Sequence, residues 1–182
     1  MQETADQPQR RSSHRVVVMG VSGSGKSTIG EAVSERLRVS YIDGDDYHPQ
    51  ANIDKMSAGE ALDDDDRTGW LDALAELIAT HRASQTSVTI GCSSLKRQYR
   101  DRLRQGDPEL VFLFLDGSFE VIRERMEGRS HFFSPAMLRT QFATLEAPGR
   151  DEAIRVDIDG EWEQVVEHSV NALATLLGRT PS

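Results

Sequence analysis

Short apolar runs alternate with longer stretches of helical periodicity along most of the chain. The short runs predict strands at Arg15–Met19, Val39–Ile42, Ser87–Gly91, Leu110–Leu115 and Ala153–Ile158, of which Arg15–Met19 and Ser87–Gly91 are expected to be buried. Apolar stripes at helical spacing predict helices at Lys26–Arg38, Gly69–Ala83, Leu95–Leu103, from Phe119 onwards, and at Trp162–Leu177. Strands that alternate with helices favour an α/β fold with a mainly parallel sheet covered on both faces.

The length of 182 residues suits one domain, and no repeat or linker divides the chain. We therefore expect a flexible polar N-terminal tail at residues 1–14 and a single domain at residues 15–182. The formal net charge of -9 disfavours nucleic acid as a partner.

The single cysteine, Cys92, excludes an internal disulfide and fits a reducing compartment. No run of 18 apolar residues is present, and Met1–Ser13 lacks the apolar segment of a secretory signal. We therefore expect a cytoplasmic protein that does not bind a membrane.

A glycine-rich segment, "GVSGSGKST", follows the first predicted strand directly and leads into the first predicted helix. It matches the pattern G-x-x-x-x-G-K-[ST], whose backbone N–H groups surround a phosphate at a helix N-terminus. In this pattern Lys26 reaches the β and γ phosphates, and the Ser27 hydroxyl ligates Mg²⁺. The segment predicts ATP or GTP binding by Gly20, Val21, Ser22, Gly23, Ser24, Gly25, Lys26, Ser27 and Thr28, together with Mg²⁺.

An acidic segment, "YIDGDDYHP", follows the second predicted strand. Carboxylates at the carboxyl end of a strand in an open α/β sheet face the crevice where ligands bind. Asp43 and Asp45 are two residues apart, so in an extended segment they would project from opposite sides, and one could serve the metal while the other meets an acceptor hydroxyl. A solvated acidic turn has the same composition. His48 is a candidate for a substrate hydroxyl or, equally, an exposed loop histidine.

Four blocks together resemble the thermoresistant-type gluconokinases: "GVSGSGKS", "DGDDYHPQANIDKMSAGEALDDDDRTGWL", "CSSLKRQYRDRLR" and "HFFSPAMLRTQFATLEAP". The resemblance runs from about Val16 to the last helix. It implies a P-loop kinase of the nucleoside-monophosphate-kinase type, with a five-stranded parallel sheet, a mobile lid near residues 125–135 and often a homodimer. The implied reaction converts ATP and D-gluconate into ADP and 6-phosphogluconate, a step of gluconate utilization.

Gluconate is a polyhydroxylated carboxylate, so its site requires hydrogen-bonding groups and a fixed cation. Arg67, Lys96 and Arg100 lie in the matching blocks, and Lys96 and Arg100 are four residues apart in a predicted helix, hence on one face. The alternative for this basic pair is a solvated helix face. Asp45 is the candidate for binding the 6-hydroxyl and accepting its proton, and Asp43 is the candidate for helping to hold hydrated Mg²⁺.

The segment "RERMEGRSHFF" is the candidate lid, and Arg125 and Arg129 are candidates for contacts with the transferring phosphate. A basic helix end that suits the macrodipole is the alternative. The chain departs from the family pattern where Ser130 precedes His131 in place of a glycine, and where Gly91 replaces a bulkier strand residue.

Two rival functions remain open at this point. A kinase for shikimate, a nucleoside or adenylylsulfate would share the phosphate loop and the acidic pair, and shikimate also has a carboxylate. A nucleotide-binding switch is the rival from another class. The chain has no N-K-x-D or T-K-x-D guanine-reading motif, and a lid with arginines suits phosphoryl transfer better than signalling.

Overall fold

Parallel strands form the centre of the structure, a computed structural model that describes residues 13–128 and 134–178. The strands are β1 (Arg15–Met19), β2 (Ser40–Asp43), β3 (Val88–Gly91), β4 (Val111–Asp116) and β5 (Ile154–Asp157). They form one sheet in the order β2–β3–β1–β4–β5, and every neighbouring pair is parallel. The predicted α/β fold with a five-stranded parallel sheet is confirmed.

Helices connect the strands and cover the sheet. They are α1 (Lys26–Leu37), α2 (Gln50–Ser57), α3 (Asp64–Ala83), α4 (Arg97–Arg104), α5 (Phe119–Glu127), α6 (Pro135–Thr144) and α7 (Trp162–Leu176), with a short 3-10 helix at Gly44–Tyr47. The apolar periodicity did not predict the 3-10 helix or α2, because only one residue of α2, Asn52, is buried. No helix in the described ranges is long and apolar enough to cross a membrane.

Helix α3 begins at Asp64, earlier than the predicted start at Gly69. Its N-terminus is a reciprocal cap: the Asp66 N–H donates to the Asp63 carboxylate and the Asp63 N–H donates to the Asp66 carboxylate, both at 2.8 Å. The cap satisfies two backbone donors that have no partner within the helix, and the acidic first turn suits the macrodipole. The acidic residues 63–66 thus begin helix α3, and this helix forms one wall of the cleft described below.

The core lies on both faces of the sheet, as a doubly covered sheet requires. Side chains of β1 alternate between the faces: Val16 and Val18 pack on the side of α1 and α7, whereas Val17 and Met19 pack on the side of α3 and α4. Burial of each such side chain contributes about 1.5–3 kcal/mol. The two cores fix the helices, and with them the loops at the carboxyl edge of the sheet.

The carboxyl ends of the three strands β1, β2 and β3 lie together at one edge. Gly91 of β3 pairs with both Val18 and Asp43, so the phosphate loop after β1 and the acidic segment after β2 begin at the same level of the sheet. Ligands of open α/β sheets bind in the crevice at this edge. Cys92, the next residue, is buried, and desolvation raises the pKa of its thiol to about 11.

Gly91 gives space to the Tyr41 side chain. A Cβ at Gly91 would overlap the Tyr41 hydroxyl oxygen, and a Cβ at Gly30 would overlap the edge of the same ring. Gly91→Ala is therefore expected to lower the free energy of unfolding by about 1–3 kcal/mol through overpacking. Urea denaturation measures the change, and adding Tyr41→Phe, which removes the overlapping oxygen, should restore part of it.

Gly69→Ala is the matched control, because a Cβ at Gly69 meets nothing within 4 Å and Gly69 lies inside helix α3. This substitution is expected to raise stability by about 0.5–1 kcal/mol through helix propensity. A Gly91→Ala protein as stable as the native chain would contradict the close packing of Tyr41.

Candidate active site

Three glycines of the phosphate loop adopt backbone conformations that other residues rarely reach. Gly20, Gly23 and Gly25 have φ values of 151°, 79° and 93°. Gly25 immediately precedes α1, so the chain turns from the loop into the helix N-terminus. Side chains also crowd the loop, since a Cβ at Gly25 would lie 2.6 Å from the Trp162 ring. The strand, glycine turn and helix predicted for this segment are confirmed.

Lys26 lies at the start of α1 and folds over the loop. Its Nζ donates to the carbonyl oxygen of Val21 at 3.1 Å. Desolvation lowers the pKa of this half-buried lysine, and the nearby Asp45 opposes the shift. The ammonium group thus lies between the phosphate loop and the carboxylates that follow β2, where a transferred phosphate requires positive charge.

Ser27 and Asp43 face each other across the edge of the sheet. The Ser27 Oγ lies 3.4 Å from Oδ2 of Asp43, while Oδ1 of Asp43 accepts from the Asp45 N–H at 3.0 Å. A hydroxyl and a carboxylate oxygen side by side fit Mg²⁺, which usually retains several waters and takes few protein ligands. Within the described ranges, no group of three or more His, Cys, Asp or Glu residues is arranged to hold a metal.

Asp45 lies in the 3-10 helix and its side chain is 75% exposed to the cleft. The segment after β2 is therefore not extended, and in place of two opposed carboxylates Asp43 caps the 3-10 helix while Asp45 lines the cleft. Partial desolvation and the neighbouring Asp43 carboxylate raise the pKa of Asp45 above its ordinary value.

The side chain of His48 is buried, with only 5% of its surface exposed. Its ring stacks on Trp70 with centroids 4.1 Å apart, and the Trp70 Nε1 donates to the Gly44 carbonyl at 2.7 Å. The alternative of a simply exposed loop histidine is wrong. Desolvation lowers the pKa of His48, which favours the neutral imidazole.

The tautomer of His48 follows from Asn52. The Asn52 Nδ2 donates to the Asp66 carbonyl at 2.9 Å and lies 3.2 Å from Nδ1 of His48. Because that amide nitrogen is a donor, Nδ1 of the neutral ring must accept, and Nε2 bears the proton. Nε2 lies 3.8 Å from Oδ1 of Asp45. His48 therefore directs an N–H toward the cleft beside Asp45.

Two basic side chains form the opposite part of the cleft, and their partners differ. Lys96 donates to both oxygens of Asp64, at 2.8 and 2.9 Å, and Tyr99 and Gln98 also donate to this carboxylate. These bonds, that of Lys96 foremost, lower the pKa of Asp64 to about 2. The charge of Lys96 is thus already balanced.

Arg67 has no such counter-charge. Its guanidinium donates to the backbone carbonyls of Leu62 and Asp63 and lies 5.6 Å from the centre of the Tyr99 ring. In the described part of the chain it forms no ion pair, so its charge is available to an anionic ligand.

Several of these groups, but not Ser27 or Asp43, line one cleft of about 670 Å³. Six residues predicted from the sequence line it: Ser22, Lys26, Asp45, His48, Arg67 and Lys96. Helix α6 forms a further wall with Met137, Thr140, Gln141 and Thr144. The cleft brings together part of the phosphate loop, a carboxylate, a histidine and an arginine that forms no ion pair with the residues the structure describes, which suits a polar acceptor of small size.

Arg100 does not join this cleft. Helix α4 begins at Arg97, so Lys96 precedes the helix, and the prediction that Lys96 and Arg100 share one helix face is wrong. The Arg100 side chain is 1% exposed and forms a two-pronged ion pair with Glu152, at 2.6 and 3.2 Å. Its Nη1 donates to the carbonyls of Ser94 and Leu95, so Arg100 holds the loop after β3.

Arg125 lies on the other side of the phosphate loop. Its Nη2 donates to the Gly160 carbonyl at 3.1 Å, and its guanidinium lies 5.9 Å from the centre of the Trp162 ring, which packs on Gly25. The predicted lid residues Arg129, Ser130 and His131 lie outside the described residues.

Several residues of the site gave no functional signal in the sequence. Trp70 and Tyr99 are residue types common in cores, and Asp64 belongs to an acidic run that is typical of a helix start. Gln141, whose amide contacts Ser22, is a residue type common on polar helix faces. The lysine and the acid of the Lys96–Asp64 pair lie 32 residues apart, and only the three-dimensional fold joins them.

A phosphate loop at the carboxyl edge of this five-stranded sheet, with carboxylates and cations in the adjoining cleft, defines a P-loop phosphotransferase. The family model described as shikimate kinase matches residues 22–174. The thermoresistant gluconokinase of Escherichia coli K12 is 47% identical over 164 residues, covering 88% of this chain and 93% of that protein. The thermosensitive gluconokinase of the same organism is 45% identical, with 88% and 87% covered.

The chain belongs to the gluconokinase family. A gluconokinase structure from Sinorhizobium meliloti 1021 superposes with a TM-score of 0.84 at 45% identity, covering 93% of this chain and 96% of the other. A shikimate kinase from Bacteroides thetaiotaomicron shares the fold alone, with a TM-score of 0.58 at 20% identity over 91% of this chain and 98% of the other.

Proposed function

We propose that the protein phosphorylates D-gluconate at the 6-hydroxyl with ATP, giving 6-phospho-D-gluconate and ADP. The observation that supports this best is one cleft that contains Lys26, Asp45 and Arg67. Lys26 complements the phosphate donor, Asp45 the acceptor hydroxyl and Arg67 the acceptor carboxylate. The gluconokinase relatives at 47% and 45% identity support the same acceptor.

The donor ATP binds to the loop Gly20–Thr28 in this proposal. Backbone N–H groups and the N-terminus of α1 bind the phosphates, and Lys26 neutralises charge on the transferring group. Ser27 and Asp43 would hold Mg²⁺, Asp43 directly or through a water. A metal ion held there would supply positive charge that offsets the negative charge of the transferring phosphate.

The acceptor binds with its 6-hydroxyl at Asp45. The Asp45 carboxylate orients this hydroxyl and accepts its proton as the oxygen attacks the γ phosphorus. His48, a neutral donor through Nε2, binds an adjacent hydroxyl oxygen. The exposure of Asp45 to the cleft allows a direct contact with the substrate.

The carboxylate end of gluconate binds to Arg67, whose fork of N–H groups matches a carboxylate. The Lys96–Asp64 pair presents a donor and an acceptor side by side, which suits hydroxyl groups better than a second anion. Arg125, with Arg129 of the lid, serves the phosphates from the nucleotide side. We further propose a cytoplasmic homodimer that acts in gluconate utilization.

A coupled assay of ADP release tests the function with purified protein, ATP and Mg²⁺. We expect kcat/KM for gluconate to exceed that for other sugar acids, shikimate, nucleosides and adenylylsulfate by at least about tenfold, since unmatched buried polar groups penalise the wrong substrate. Phosphorus NMR should locate the new phosphate on the 6-oxygen.

Lys26→Met protein, purified identically, controls for a contaminating kinase and should give only background ADP. Preference for shikimate over gluconate would contradict the proposed acceptor. ATP binding without turnover on any acceptor would instead favour the nucleotide-binding switch.

A further inference from the structure

We propose that Gln141 is a positioning residue that holds the phosphate loop in its ATP-binding conformation. The Ser22 backbone N–H donates to Oε1 of Gln141 at 2.6 Å, and Nε2 of Gln141 donates to the Ser22 hydroxyl at 2.8 Å. One side-chain amide thus satisfies two groups of a single loop residue. The inference rests on the proposed function in taking ATP as the donor.

The contact is specific for a primary amide. Glutamine offers an acceptor and a donor from one planar group, and Ser22 offers the complementary pair. Glutamate could accept from the backbone N–H but could not donate to the hydroxyl, and it would bring a negative charge close to the phosphates. Methionine has similar length and would lose both bonds.

Holding Ser22 affects the loop on both sides of that residue. On one side, the Val21 carbonyl accepts from Lys26 Nζ at 3.1 Å and from the Ser24 N–H at 3.2 Å. On the other side, Gly23 has the positive φ of 79° that turns the loop. A fixed Ser22 therefore fixes the orientation of the carbonyl that positions the Lys26 ammonium.

Helix α6 is anchored firmly enough to provide this support. Leu138, one turn before Gln141, is 2% exposed and packs in the core. After the helix, the Glu146 N–H donates to the Leu95 carbonyl at 2.9 Å, and the Arg97 N–H donates to the Glu146 carboxylate at 2.7 Å. Because Thr140 and Thr144 of the same helix line the cleft, Gln141 joins the donor loop to the acceptor wall.

Titration calorimetry with ATP and Mg²⁺, without gluconate, tests the proposal. Gln141→Met is expected to raise the Kd for ATP on the order of tenfold, which corresponds to the loss of one to two hydrogen bonds. Gln141→Glu should weaken ATP binding further, through its charge. In the steady state, KM for ATP should rise while KM for gluconate stays within about twofold.

Ser22→Ala removes only the hydroxyl partner and should raise the Kd for ATP by about threefold. In the double variant with Gln141→Met, the two changes should be less than additive, because they share one hydrogen bond. Gln105→Met is the matched control, since Gln105 is exposed at the end of α4.

ATP binding within twofold of native in both Gln141 variants, or full additivity with Ser22→Ala, would overturn the proposal. Melting temperatures of the ligand-free variants identify any misfolded protein. Ser22→Ala, a small change on the loop itself, still decides the question if a Gln141 variant does not fold. Since ATP binding is measured alone, failure of gluconate as acceptor leaves this test intact.

Discussion

Asp45→Asn is expected to lower kcat for gluconate phosphorylation by about 10²- to 10⁴-fold, the usual contribution of a positioned general base. Asparagine has the same shape and can still hydrogen-bond the 6-hydroxyl, but it cannot accept the proton. The backbone N–H of residue 45 donates to the Asp43 carboxylate, and the substitution leaves this hydrogen bond in place. Rapid-quench measurement of a single turnover reports the chemical step directly.

The Kd for ATP of the Asp45→Asn protein should remain nearly native, because the loop and Lys26 are unchanged. Asp46→Asn is the matched control: Asp46 is the next residue of the same 3-10 helix and is exposed. A kcat for Asp45→Asn within twofold of native would refute the role of Asp45 as proton acceptor.

Arg67→Met is expected to raise KM for gluconate by about 10- to 100-fold, as the loss of a charge-assisted hydrogen bond implies, with a smaller change in kcat. On the acceptor side of the cleft, Arg67 forms no ion pair within the described ranges, so its removal would leave the acceptor carboxylate without a matching cation. Steady-state kinetics at saturating ATP measures the effect.

Lys96→Met provides the comparison for Arg67→Met. Its effect on KM should be smaller, because Asp64 already balances Lys96 through bonds of 2.8 and 2.9 Å. A larger rise in KM for Lys96→Met than for Arg67→Met would reverse the assignment of the carboxylate-binding residue. Thermal denaturation of both variants separates binding from stability, since Lys96 also holds the first turn of α3.

The sequence predicted the donor half of the site more completely than the acceptor half. The phosphate loop is one continuous segment whose local rules are strong: a strand, three glycines with positive φ and a helix N-terminus. Likewise, all five strands were predicted within one residue at each end, because short apolar runs and alternating segments are strong local signals even for the less buried strands β2 and β5.

The acceptor half depends on contacts between distant segments, which a linear pattern does not contain. Helical spacing placed Lys96 and Arg100 together, but the helix begins one residue after Lys96, and Arg100 pairs with Glu152, 52 residues away. Gln141 contacts Ser22 across 119 residues. Neither pairing could be inferred from spacing, since each depends on how α4 and α6 pack against the sheet.

The two tryptophans of the chain lie in different places, Trp70 in the lining of the cleft and Trp162 against Gly25 of the phosphate loop. Trp70 supports His48 on the acceptor side, whereas Trp162 packs on Gly25 beneath the phosphate loop. Indole emission depends on the polarity and the quenching groups around each ring. The protein therefore has one native fluorophore beside each substrate, and the order in which ATP and the acceptor bind can be followed without an added label.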